Sequence, residues 1–165
     1  MLIGSYARDY VCVFEAGRSP ARATQDVDVA VAVVDVETYV KRTEHLERDR
    51  AGIGSRVILR DAPQAQVDVI PAIADKSVIE LKEGVLTDIT GMHEAYRSAT
   101  LDDVEGVTFR VPTLPAMILL KMVAWSMRHE HRDAQDLLEL FEAASAWRID
   151  DDDVYCSAPV SYTHL

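Results

Sequence analysis

No run in this 165-residue chain approaches the roughly 18 to 20 uninterrupted apolar positions that a membrane-spanning helix requires. The N-terminus also lacks a basic stretch leading into an apolar signal core. Both absences point to a cytoplasmic protein with no membrane partner. Cysteine is scarce. Cys12 and Cys156 stand far apart, with no second Cys or His at zinc-ligand spacing beside either, so neither a disulfide scaffold nor a zinc site is indicated and reduced thiols are expected. Basic residues are short as well. The 17 Lys+Arg face 28 Asp+Glu, giving a net charge of −11. Broad duplex-DNA binding draws its affinity from Lys and Arg on phosphates, so that class is excluded, whereas a local basic patch or a cation site is not. What is present, 48% hydrophobic and 27% charged residues with 7% aromatics, supplies a real core for one domain and is too apolar for a disordered chain.

Along the chain, Met1-Leu2-Ile3 runs into Gly4-Ser5 and then Tyr6 to Val11, which predicts a strand end, a tight turn and a helix capped by Ser5. Ala16 to Pro20 breaks any helix. The β-branched run from Asp26 to Val34 predicts a buried central strand. Val36, Tyr39, Val40 and Leu46 recur with helical period to about Arg50, where Gly52 and Gly54 end the pattern. Residues 56–60 and 66–70 read as two strands around a turn at Asp61 to Gln64, with Pro71 ending the second. The signal is weak from Ile73 to Asp88; Gly91 to Arg97 reads as a short helix and Gly106 to Val111 as a strand. Pro112-Thr113-Leu114-Pro115 opens a strong helix, with Thr113 as cap and Met117, Leu120, Val123, Ala124 and Met127 on one apolar stripe. A second helix after Arg132 carries Leu137, Leu138, Leu140 and Phe141. Trp125 and Trp147 are expected in the core. The expected fold is mixed α/β. A small mixed β-sheet with flanking helices covers residues 1–111, a helical pair over 112–149 packs on it, and 150–165 forms a disordered or artefactual tail.

The chemistry gathers around three acids. In Asp26-Val27-Asp28 the two carboxylates leave the same face of a strand, an arrangement that raises one pKa or recruits a hard divalent cation. Asp68 lies between Val67 and Val69 in another strand-like run, where a lone buried charge is costly. Turn and cap chemistry is the plain alternative for Asp26 and Asp28, and a water-facing edge position for Asp68. The Gly4-Ser5 turn at a helix start adds a possible phosphate cradle beside them, since such a turn offers bare backbone N–H groups. His129 and His131 have no third ligand at suitable spacing, and Asp150 to Asp153 read as a solvated acidic run.

Gly4-Ser5, then Arg22 to Asp28, then Val67-Asp68-Val69-Ile70-Pro71 resemble the core of the polymerase-β-like nucleotidyltransferases. Thr113-Leu114-Pro115-Ala116 through Leu120-Lys121 to Trp125, followed by Arg132-Asp133-Ala134-Gln135-Asp136-Leu137, resemble more narrowly the AbiEii/AbiGii toxin-type branch. The similarity runs in order from Met1 to about Trp147. It implies Mg²⁺-dependent transfer of a nucleoside monophosphate from an NTP to a hydroxyl of RNA, such as a tRNA end, or of a protein, with release of pyrophosphate. It further implies a toxin with a cognate antitoxin as partner. Two Mg²⁺ ions would be held by Asp26, Asp28 and Asp68; Gly4, Ser5, Arg22, Thr24 and Lys121 would bind the nucleotide phosphates; Asp133 and Asp136 would complete the site.

Other readings of the same residues stay open. Lys121 also fits a lysine snorkelling from an apolar helix. Asp133 and Asp136, at i and i+3, also fit ion pairs with Lys121, Arg128 or Arg132. Arg22 and Thr24 also fit loop ordering. Arg8, Arg18, Arg22, Arg128 and Arg132 are expected to form a basic approach for an RNA end. Against the branch, the Ser5-to-Asp26 interval is long, the chain begins almost at the Gly-Ser turn and the helical region is short, so a truncated copy is expected. Residues 159–165 resemble translated sequencing adapter and carry no functional weight. Truncation makes a catalytically silent nucleotide-binding or partner-binding module the alternative.

Overall fold

The chain's computed structural model describes residues 1–15, 26–48, 55–59 and 65–146. Arg22, Thr24, Arg18, the Ala16–Pro20 breaker, Gly52, Gly54, the 61–64 turn, Trp147, Cys156 and the 150–165 tail lie outside them.

The β-branched run forms strand β2, Asp26–Ala32, at the centre of a four-stranded sheet. β1 (Leu2–Ile3) lies antiparallel on one side, and β4 (Gln66–Ala72) lies parallel on the other. β3 (Arg56–Ile58) pairs antiparallel with the outer edge of β4. The sheet is therefore mixed, in the order β1-β2-β4-β3. Pro71 does not end β4, which continues to Ala72 and stays in register with Ala32. The physical reason is positional. Val69 N–H donates to the Ser55 carbonyl (2.9 Å), so the N–H of residue 71 would face the same side. β3 pairs only with Gln66 to Asp68, and the missing proline donor costs that ladder nothing.

Each face of the sheet is covered. Val33, Val57, Val69 and Ile73 pack with Tyr39 of helix α2 (Val36–Thr43), and with Ile79 and Ile89. α2 is half the expected length. Asp35 caps its start by accepting from the Thr38 N–H (2.7 Å), and the chain leaves it so that Arg48 bridges to Val57. On the opposite face Ile3, Ala30 and Ala72 pack with Ile70, Met92 and Leu120. A third cluster joins Ala7, Val11 and Cys12 to Val111, Leu114, Met117, Leu140 and Ala143. It ties helix α1 (Gly4–Tyr10) and the π-helical turn after it (Val11–Glu15) to α4 (Leu114–Arg128) and α5 (His131–Ala146).

Two hairpins complete the fold. β5 (Val78–Lys82) and β6 (Val85–Asp88) occupy the stretch where sequence gave little signal, turning at Gly84. β7 (Thr100–Val104), also unanticipated, pairs with β8 (Val107–Val111). Its two-residue turn places both Glu105 (φ 53°) and Gly106 (φ 82°) in the left-handed region, the conformation that matches strand twist. Helix α3 (Met92–Ser98) starts after Gly91.

Several helix details differ from expectation. Neither Ser5 nor Thr113 caps through its side chain: α1 begins at Gly4 with Ile3 as cap, and Thr113 makes no cap bond. Pro115 does sit in the first turn of α4. Trp125, expected in the core, is exposed on α4, and on α5 Leu138 and Phe141 are exposed while the buried stripe runs through Leu140 and Ala143. Trp125 lies against His129, with ring centroids 5.5 Å apart.

Candidate active site

Strand register brings the acids together. Asp28 on β2 is the direct partner of Asp68 on β4, and in a parallel pair such partners leave the same face side by side. Asp26, two residues before Asp28, shares that face. Ile3, the residue before the Gly4-Ser5 turn, pairs with Asp28 from the other side. Gly4 therefore passes against the Asp28 carboxylate. Its φ is +69°, and a Cβ there would overlap the carboxylate, lying 2.8 Å from Cγ. Only glycine satisfies both conditions.

Asp28 has the electrostatics of a crowded acid. Burial, the neighbouring Asp68 and, more weakly, Asp26 push its pKa from 3.8 up to about 6, while Lys121 and Arg128 pull against them. Asp68 is buried but compensated: Ser55 Oγ donates to one oxygen (3.1 Å) and Arg56 Nη2 to the other (2.9 Å). Arg56 is the cross-strand partner of Asp68, so the β3–β4 register itself creates that pair. The water-facing edge reading of Asp68 is thereby set aside. Among the described residues, no three His, Cys, Asp or Glu side chains are gathered closely enough to enclose a metal ion. The donor set is nevertheless all hard oxygen, and Asp28 carries charge that its surroundings do not fully offset, which fits a divalent cation better than a soft metal. A cation taking Asp68 would compete with Arg56.

A cleft of about 310 Å³ opens in front of Asp28. Gly4, Asp28, Lys121 and Arg128 line it, and the apolar stripe of α4 (Met117, Leu120, Val123, Ala124, Met127) forms its wall, so that stripe serves the cleft as well as the core. Asp88, the last residue of β6, and Thr90 just beyond it add polar atoms that sequence reading overlooked. Thr90 N–H donates to Asp88 (2.8 Å), a short-range turn bond for which the Asp-x-Thr spacing is a signal.

Lys121 is buried and its Nζ stands 2.5 Å from Asp136 and 3.9 Å from Asp133. Arg128 binds Asp133 through two nitrogens (2.8 and 3.1 Å). Asp136 is thus ion-paired with Lys121 and Asp133 with Arg128, contacts that both of their readings allow, whereas Arg132 pairs with Glu130. Arg8 is the main surprise. It was expected to face an incoming RNA, yet it is fully buried and paired with Asp136 and Asp9. Its sequence signal was the helical spacing from Gly4, which turns Arg8 inward with Ala7 and Val11. Ser5, half-buried, adjoins Gly4.

Neither a protein-family model nor a curated protein sequence matches the chain. Among solved structures the chain is similar to the lincosamide antibiotic adenylyltransferase LnuA in its lincomycin-bound form. Identity is 13%, 86% of this chain and 85% of that chain are covered, and the TM-score is 0.45. A likeness that slight assigns neither fold family nor substrate, so the functional reading stands on the geometry of the site.

Proposed function

We propose that this chain is a Mg²⁺-dependent nucleotidyltransferase that moves a nucleoside monophosphate from an NTP to a hydroxyl of RNA, such as a tRNA end, or of a protein. One observation carries the reading: Asp28, which lines a cleft together with Gly4 and a buried lysine, stands in register with Asp68 on the adjacent parallel strand, with Asp26 on the same face. A purely structural domain gains nothing from this crowding of like charge. Asp26, Asp28 and Asp68 would hold two Mg²⁺ ions. When bound, these supply a lowered pKa for the attacking hydroxyl and charge neutralisation for the departing pyrophosphate.

The chain's own residues divide the remaining work. Gly4 lets phosphate oxygens approach the backbone beside Asp28, and Ser5 adds a hydroxyl there. Lys121, held at the cleft, neutralises phosphate charge. Arg22 and Thr24 belong to the same reading as phosphate-side groups, on the sequence resemblance alone. Asp133 and Asp136 serve Lys121 and Arg128 rather than the substrate. A toxin role with an antitoxin partner follows from the branch resemblance; co-expression of the gene with its neighbours, relieving growth arrest, checks it.

The test is transfer of label from each of the four NTPs, α-labelled, to RNA and protein acceptors, with Asp28→Asn and Lys121→Met beside wild type. Label transfer by wild type, lost in both variants, supports the enzyme. A second reading, a nucleotide-binding module without catalysis, is favoured by the Arg56 and Ser55 bonds that already satisfy Asp68. Equal NTP binding by wild type and Asp28→Asn, with no transfer by either, selects it.

A further inference from the structure

Arg8 lies four residues beyond Gly4, on the helix that the Gly-Ser turn opens, and it is fully buried. A buried guanidinium is costly unless acids meet its donors. Here Nη1 donates to Asp136 Oδ1, Nη2 and Nε (2.8 Å) donate to Asp9 Oδ1, and Nε stands 3.4 Å from Glu139. Asp136, itself fully buried, offers its other oxygen to Lys121 Nζ. A carboxylate held at one oxygen is free to rotate, whereas one held at both has a single orientation. By holding Oδ1, Arg8 helps to direct Oδ2, against which the ammonium stands. Asp133 offers no substitute, because Arg128 occupies both its oxygens and Lys121 is 3.9 Å away. Lys121 has three N–H donors; spending one on Asp136 leaves others for a ligand in the cleft it lines.

We propose that Arg8 is a positioning residue that acts through Asp136 to fix Lys121 at the cleft, joining the Gly4-Ser5 turn on α1 to the lysine on α4. The proposal rests on the reading of Lys121 as a nucleotide-phosphate ligand, and its test separates the two. Each NTP with Mg²⁺ is titrated by calorimetry into wild type, Arg8→Met, Arg8→Lys, Lys121→Met and the Arg8→Met/Lys121→Met double variant. The expected result is a loss of about tenfold in affinity for Arg8→Met and for Lys121→Met, with no further loss in the double variant, because both remove one interaction. Arg8→Lys, which keeps the charge without the fork, recovers part of the affinity. Losses that multiply in the double variant, or wild-type affinity in Arg8→Met, overturn the proposal; a merely structural role gives one of these.

If wild type binds no NTP, the nucleotide reading falls, and positioning is then read from Lys121 directly. Trace acetylation, followed by mass spectrometry with exposed Lys41 and Lys76 as internal references, reports how firmly the ammonium is held. Several-fold faster modification of Lys121 in Arg8→Lys and Arg8→Met supports positioning, and an unchanged rate overturns it. Should Arg8→Met not fold by circular dichroism, Arg8→Lys carries both measurements against wild type.

Discussion

Replacing Asp28 by Asn should make the protein more stable at neutral pH while abolishing nucleotidyl transfer. The carboxyl has a folded pKa of about 6 against 3.8 when unstructured, chiefly because it is buried and faces Asp68. Between those values the folded chain binds more protons than the unfolded one, so this group's contribution to stability falls as pH rises from 3.8 to 6 and is fully unfavourable above. Two pKa units correspond to about 3 kcal/mol, and partial solvent access brings the working figure to about 2 to 3 kcal/mol. Asparagine carries no such term. Urea unfolding should show Asp28→Asn ahead by about 2 kcal/mol or more near pH 7.5, by about half that near pH 5, and by about 0.5 kcal/mol or less near pH 4. Millimolar Mg²⁺ should narrow the gap from the wild-type side, since a cation that binds Asp28 removes the penalty only where the carboxylate exists. A variant no more stable than wild type near pH 7.5, or an advantage that does not shrink with acid, would refute the account of Asp28 as an uncompensated charge. An unchanged gap with Mg²⁺ would refute the cation site alone.

Gly4→Ala should cost at least about 1 to 2 kcal/mol from its positive φ alone, and more from the overlap with Asp28, measured by urea unfolding; the same substitution in an Asp28→Gly background should recover the overlap part. Arg56→Gln frees one oxygen of Asp68, so Mn²⁺ binding followed by calorimetry should tighten by about tenfold; unchanged affinity would mean Asp68 takes no cation. On α5, Leu140→Ala should cost about 2 to 5 kcal/mol because the side chain is fully buried among Val11, Leu114 and Met117, whereas exposed Leu138→Ala, two residues away, should stay within about 0.5 kcal/mol. Equal losses at the two leucines would mean that α5 is rotated from the described orientation.

The split between legible and illegible features follows the range of the interactions behind them. β2 and the α4 wall were readable because their signal is local: a β-branched run, a proline in the first turn, an apolar stripe at helical spacing. The hairpin β7–β8 was half missed because Leu101-Asp102-Asp103-Val104 is an exposed strand with no buried face to impose alternation, and only the Glu105-Gly106 turn marks it. Pro71 stays within β4 for a different reason. Whether a proline interrupts a strand depends on which neighbour its missing N–H would have met, and that neighbour, β3, is set by pairing rather than by sequence. The site divides the same way. Asp26, Asp28 and Asp68 stand out in the sequence as acids within or beside apolar runs. Their satisfaction does not: Arg56 meets Asp68 through register, and Arg8 meets Asp136 across 128 residues of chain. Arg8 also shows why composition misleads about arginine. Counted as free charge, it belonged to a basic approach for RNA; buried against Asp136, Asp9 and Glu139, it contributes nothing to an external field. With Arg128 held by Asp133 and Arg132 by Glu130, much of the basic surface expected at the cleft is already neutralised. If the proposed transfer holds, an acceptor that brings few phosphates of its own, a protein or a short RNA end, is the first to try in the transfer assay.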